Sequence, residues 1–133
     1  KDLYDRIELA VKHGIVVVIG SFDDKSQCER VKQIVGSVQV EDVYYELKIE
    51  PQARAGTFVV DAGITARIEA SMKGNGNVSS LNYDITTVNK VVYICGTAMT
   101  AYERDVVLNI ARTTSGVSKV VSYIKIAKPE VEE

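Results

Sequence analysis

Apolar and polar residues alternate over 7–12 (IELAVK) and then give way to a nearly unbroken apolar run at 15–20, IVVVIG. The same succession returns further on, as the alternating YDITTV at 83–88 and the run VVYICG at 91–96. A period of two marks a half-buried strand, and an apolar run closed by glycine marks a second one. The turns between them, KHG at 12–14 and VNK at 88–90, predict two hairpins. A helix-start signal follows each glycine. Thr100 and Glu103 form a capping box, and Asp24 and Gln27 are its counterpart. The helices that follow place Val31, Ile34 and Val35, or Val107, Ile110 and Ala111, on one face. A last strand alternates again, with Val43, Tyr45, Leu47 and Ile49 on one side, and likewise Val120, Ser122, Ile124 and Ile126.

The chain is thus an internal repeat. A shift of 76 pairs Val16 with Val92, Gly20 with Gly96, Val31 with Val107 and Ile34 with Ile110. One extra residue near Gly116 makes the shift 77 afterwards. The second copy begins with one more helix, predicted over 61–72, with Asp61 at its N-cap and Ile64, Ile68 and Met72 facing the sheet. The equivalent helix of the first copy would fall before Lys1. Without it, the sheet around Ile7, Leu9 and Val17 is expected to need cover from the second copy, a second chain or residues upstream. Val18, Ile34, Ile94 and Ile110 are expected in the core. The predicted organisation is a first unit over 1–50, a linker over 51–57, a second unit over 58–127 and an acidic tail over 128–133. The fold class is α/β, an α+β sandwich of two units. Each unit is a three-stranded mixed sheet with helices on one face, the first lacking its N-terminal helix.

The run VVDAGITARIEASM (59–72), with VSSLNYDITTVNKVVYICGTAMTAYERDVVLNIARTTSGVSKVVSYIKI after it, resembles the BON domain over its full length. The resemblance rests on Asp61 before Ile64-Thr65, on residues 92–96 followed by Thr97, and on Gly116-Val117 with Val120-Val121. Residues 7–49 resemble the same domain without its first helix, and the tandem arrangement is similar to two-domain outer-membrane lipoproteins of that family. The resemblance implies a non-enzymatic periplasmic envelope protein with an upstream signal peptide, associated with phospholipid surfaces, envelope stress and outer-membrane integrity. It also implies attachment by a lipid anchor that this chain, opening at Lys1, does not contain.

Composition adds exclusions. Lys and Arg number 16 and Asp and Glu 18, a net charge of −2, which gives no electrostatic reason to expect nucleic acid. No apolar run approaches a membrane span. One histidine, His13, beside Gly14 in a turn, cannot build a metal cluster. Cys28 and Cys95 read as structural thiols. GNGN at 74–77 follows a helix instead of opening one, so it reads as a turn and not a phosphate loop. The carboxylate pairs Asp23-Asp24 and Glu41-Asp42 lack a partner base, and no serine sits in a nucleophile elbow. No enzyme and no cofactor are expected.

The candidate binding site is the helix entry of the second copy. Phe58, Val59 and Val60 would insert at the acyl boundary, with Asp61, Gly63, Ala66, Arg67 and Ala70 on the helix behind them. A helix N-terminus and Arg67 would draw an anionic headgroup of a phospholipid membrane. The competing reading packs the apolar trio against the first copy or the foot of the sheet. A protein–protein adaptor in the envelope, docking a partner at a sheet edge or at the uncovered face, is the alternative function. Oligomeric state stays open at this stage.

Overall fold

The computed structural model describes residues 7–38, 42–50 and 55–127, with side chains in the last stretch from 58 onward. The elements are β1 (Ile7–Lys12), β2 (Ile15–Phe22), α1 (Lys25–Gly36), β3 (Asp42–Ile49), α2 (Ala55–Lys73), β4 (Tyr83–Val88), β5 (Val91–Ala98), α3 (Ala101–Thr113) and β6 (Lys119–Ile126). A single 3-10 turn, Ser80–Asn82, precedes β4. Two three-stranded sheets form, ordered β1-β2-β3 and β4-β5-β6. In each, the hairpin pair is antiparallel and the outer pair parallel. Their registers repeat as the sequence does. Ile7 lies opposite Gly20 as Tyr83 lies opposite Gly96, and Ile15 opposite Asp42 as Val91 lies opposite Lys119.

Local chemistry explains each boundary. The hairpin turns place His13 (φ 51°) and Gly14 (φ 80°), then Asn89 (φ 52°) and Lys90 (φ 68°), in the left-handed region. That geometry matches the twist of the flanking strands in a two-residue loop. Gly96 closes its apolar run because it must. Its φ is 147°, and a Cβ there would lie 2.1 Å from the Asn82 carbonyl oxygen. Both predicted caps are present. The Asp24 side chain accepts from the Gln27 N–H, and the Thr100 side chain accepts from the Glu103 N–H. Glu103 reaches back one residue further than a capping box requires, accepting from the Met99 N–H at 2.9 Å and the Ser79 N–H at 3.0 Å.

The sheets stack face to face between the helices. α2 and α3 cover one side of the second sheet over Ile64, Ile68, Met72, Ile94 and Val107. α1 covers one side of the first over Val18, Phe22 and Val31. Between the sheets lie Ala10, Ile15, Val17 and Ile19 from one unit and Val91, Tyr93 and Cys95 from the other. The central strands β2 and β5 are therefore buried on both faces, which is why they read as continuous apolar runs. The Tyr44 and Tyr123 rings meet at 4.6 Å, and the Tyr123 hydroxyl donates to Glu46. Asp42 pairs with Lys125, and His13 Nδ1 lies 3.0 Å from Thr97 Oγ1.

Three expectations need correction. Val17 is fully buried, because odd positions of β2 face the second sheet and not the missing helix. Ile34 is exposed although its mate Ile110 packs against the core, because α2 lies against α3 and no helix among the described residues lies against α1. Asp61 is not an N-cap. α2 begins at Ala55, takes in the last three residues of the expected linker and carries Asp61 inside it. Val18 and Ile94 are buried as expected.

Candidate functional site

α1 and α3 are amphipathic and turn charged residues outward. α2 exposes Arg67, Glu69 and Lys73, but between them it also exposes apolar residues. Its inner side carries Asp61, Ile64, Ile68 and Met72, all buried, while the outward side carries Val59, Gly63, Ala66 and Ala70 at helical spacing. Phe58, Val59 and Val60 are 50%, 77% and 44% exposed. The reading that buried this trio against the first copy is therefore not what the fold adopts. A helix apolar on both sides is ordinarily enclosed; this one has one side open.

The polar members of the predicted site have structural partners. The Asp61 carboxylate accepts from the Asn89 N–H at 2.7 Å and the Lys90 N–H at 2.9 Å, so it clamps the β4–β5 turn onto α2. The Arg67 guanidinium donates from Nη2 to the Ser115 carbonyl at 2.8 Å and remains exposed. A Cβ at Gly63 would lie 3.4 Å from Arg67 Nη1, an ordinary contact, so nothing there requires a glycine. The helix entry at Ala55 lies nearly two turns before Asp61. The free N–H groups expected at Asp61 are consequently not there.

A groove of about 410 Å³ runs between β1 and α2, lined by Phe58, Ile85 and Thr87 with the carboxylates of Glu8, Asp61 and Glu69. Burial raises the Glu8 carboxyl above its usual range, and the nearby Asp61 charge adds to the rise. The groove is acidic, and Phe58 and Ala66 of α2 stand on its rim beside those carboxylates. The joining of Asp61 to the turn was illegible in the sequence, because 28 residues separate the partners. The early helix start was hidden for a different reason. An all-round apolar segment shows no helical period.

Other candidates resolve into structural roles. Cys28 and Cys95 are free and buried. Burial, with Asp84 adding and Lys12 opposing, pushes the Cys95 thiol up to about 11. GNGN forms the turn after α2, with the Gly74 N–H on the Ala70 carbonyl and the Asn77 N–H on the Asn75 side chain. Asp24 caps α1 and Asp42 is ion-paired, while Glu41 lies outside the described residues. Among the described residues no group of three or more His, Cys, Asp or Glu side chains is placed to hold a metal ion, and no helix is long and apolar enough to cross a membrane.

Comparison with known proteins agrees with the repeat. An uncharacterized protein in the gshII 5′ region of Anaplasma centrale is 27% identical over 126 residues, covering 93% of this chain and 83% of that protein. The outer membrane lipoprotein DolP of Haemophilus influenzae is 24% identical over 121 residues, covering 90% of this chain but 62% of DolP. The chain thus spans less than two thirds of DolP. Among solved structures, CdsD, a structural protein of the type III secretion system of Chlamydia trachomatis, matches 98% of this chain and 58% of its own at 12% identity. Its TM-score of 0.46 is too low to bear on fold or function. The BON domain model matches twice, over residues 2–51 and 60–128. The first match holds the β1-β2-β3 sheet with α1, the second holds the β4-β5-β6 sheet with α3 and most of α2, and the chain belongs to the BON domain family as a tandem pair of such domains.

Proposed function

We propose that this tandem protein is a non-enzymatic component of the bacterial envelope, facing the periplasm, that associates with anionic phospholipid surfaces through the open side of α2. The observation that carries the reading is the exposed trio Phe58, Val59 and Val60, continuous with Ala66 and Ala70 on a helix whose opposite side is already buried. Likeness to an outer membrane lipoprotein supports the compartment. On that likeness, attachment to the outer membrane by a lipid anchor outside this chain, and a role in outer-membrane integrity, belong to the same reading. The trio supplies insertion, at about 0.8 kcal/mol per buried CH₂. Arg67 supplies attraction of about 1 kcal/mol, screened by salt. Asp61 acts indirectly, by fixing α2 to the turn.

Co-sedimentation with phosphatidylglycerol vesicles tests it. Phe58→Ser/Val59→Ser should weaken binding at least tenfold at any salt, since about 1.4 kcal/mol is a factor of ten and the pair removes several buried carbons. Arg67→Glu should weaken it several-fold at low salt only. Equal binding by all three proteins, or none by the parent, would remove α2 from the function.

A further inference from the structure

α2 borders a cleft on each flank, and the two differ in chemistry. The groove against β1 carries the carboxylates of Glu8, Asp61 and Glu69. The cleft against the end of α3, about 260 Å³, is lined by Arg67, Ser71, Ile110, Thr113, Thr114 and Ser115, with no acidic side chain among them. Arg67 is fixed across it by the bond from Nη2 to the Ser115 carbonyl. Among the described residues, its Nη1 and Nε and the hydroxyls of Ser71 and Ser115 make no hydrogen bond. The cleft therefore offers unused donors around a guanidinium already held in place. The end of a helix ordinarily opposes an anion through its free carbonyls. Here the Thr113 hydroxyl donates to the Asn109 carbonyl at 2.8 Å, the Thr114 hydroxyl donates to the Ile110 carbonyl at 2.7 Å, and Arg67 occupies that of Ser115. With their protons committed, the two threonine oxygens can only accept.

We propose that the α2–α3 cleft binds a glycerophosphodiester, the headgroup of a phosphatidylglycerol-type lipid, and so selects which anionic headgroup α2 accepts. Phosphate oxygens take the unused guanidinium N–H groups and the serine hydroxyls, a charge-assisted contact of fixed geometry. The glycerol hydroxyls donate to the Thr113 and Thr114 oxygens. A headgroup ammonium, as on phosphatidylserine, meets Arg67 and no lining carboxylate, so it is disfavoured at equal net charge. The position of the cleft also fits insertion. Val60, Arg67 and Ser71 lie on one row of α2. A rise of about 1.5 Å per residue sets Arg67 about 10 Å along the axis from Val60. With the Phe58–Val60 end entering the acyl boundary, a tilted helix holds Arg67 at the level of the phosphates. The inference rests on the lipid reading of α2 and adds to it the headgroup and the residues that select it.

The test uses the full chain with two kinds of probe. The first is a pair of phosphatidylcholine vesicles holding equal fractions of either phosphatidylglycerol or phosphatidylserine, so that general attraction cancels in the ratio of the two affinities. The second is soluble glycerophosphoglycerol, followed by amide shifts. The parent should prefer phosphatidylglycerol by about fivefold, the scale of one neutral hydrogen bond. Soluble glycerophosphoglycerol should shift amides of residues 67–71 and 113–116. Ser71→Ala/Ser115→Ala changes two exposed, unpartnered side chains, so its melting temperature should hold while the preference falls toward unity. Vesicle binding with no preference, or a preference that the double variant keeps, would overturn the inference and leave the lipid reading of α2 standing. Shifts confined to the groove against β1 would overturn it as well. Shifts at the cleft without any vesicle binding would overturn the lipid source, and the reading of α2 with it, and assign the cleft to a soluble glycerophosphodiester. Neither shifts nor vesicle binding would remove both.

Discussion

Removing the Asp61 carboxylate separates a structural role from a lipid-site role at that position. The side chain is buried and accepts two backbone N–H bonds, at 2.7 and 2.9 Å, from residues that hold positive φ. Hydrogen bonds to a charged group contribute about 1.5–3 kcal/mol each. Asn89 and Lys90 are exposed, so in Asp61→Ala their N–H groups regain water and part of that contribution returns. A net loss of about 2–4 kcal/mol remains. At about 2.1 cal/mol/K of unfolding entropy per residue, a domain of this size should then melt about 7–14 °C lower. Asp61→Asn keeps one acceptor oxygen but turns an NH₂ donor toward an N–H, so it should be nearly as damaging. Differential scanning calorimetry of the three proteins at pH 7, with vesicle binding measured well below their melting temperatures, is the assay. A melting temperature within a degree or two of the parent, with vesicle binding lost, would refute the turn-clamp role.

Gly96→Ala should destabilise by about 3 kcal/mol or more, because strain at φ 147° adds to a Cβ placed 2.1 Å from the Asn82 oxygen; urea denaturation with an unchanged midpoint would contradict this. Burial by itself pushes the Glu103 carboxyl up, yet the Ser79 and Met99 N–H groups outweigh it and hold the group below its usual range. A lowered carboxyl contributes stability that is present above its unfolded pKa and lost as pH falls through the folded one. The melting-temperature gap between parent and Glu103→Gln should therefore be full at pH 7 and shrink below about pH 4.5, and a gap that widens in acid would reverse the assignment. Cys95, raised to about 11 in the folded protein, should resist thiol reagent at pH 8 until urea is added, which fast labelling of the native protein would contradict.

Much of this protein was legible along the chain because its determinants are local. Alternation in β1 and β4, the apolar runs of β2 and β5, and the caps Asp24 and Thr100 each act within a few residues. Together they specified two mixed-sheet units, and the offset of 76 carried the register from one to the other. What the pattern did not decide was which face of each sheet meets what. Ile15, Val17 and Ile19 alternate with Val16, Val18 and Phe22, and both sets are apolar, so period alone cannot tell a helix-facing side from a sheet-facing one. Stacking of the two sheets decided it, burying Val17 and leaving Leu9 and Ile34 open. The candidate site divided in the same way. Phe58, Val59 and Val60 announced an apolar entry, and the fold leaves them exposed. Asp61 and Arg67 looked from sequence like headgroup ligands, but contacts with Asn89, Lys90 and Ser115, reached only when distant segments fold together, gave those charges work inside the fold.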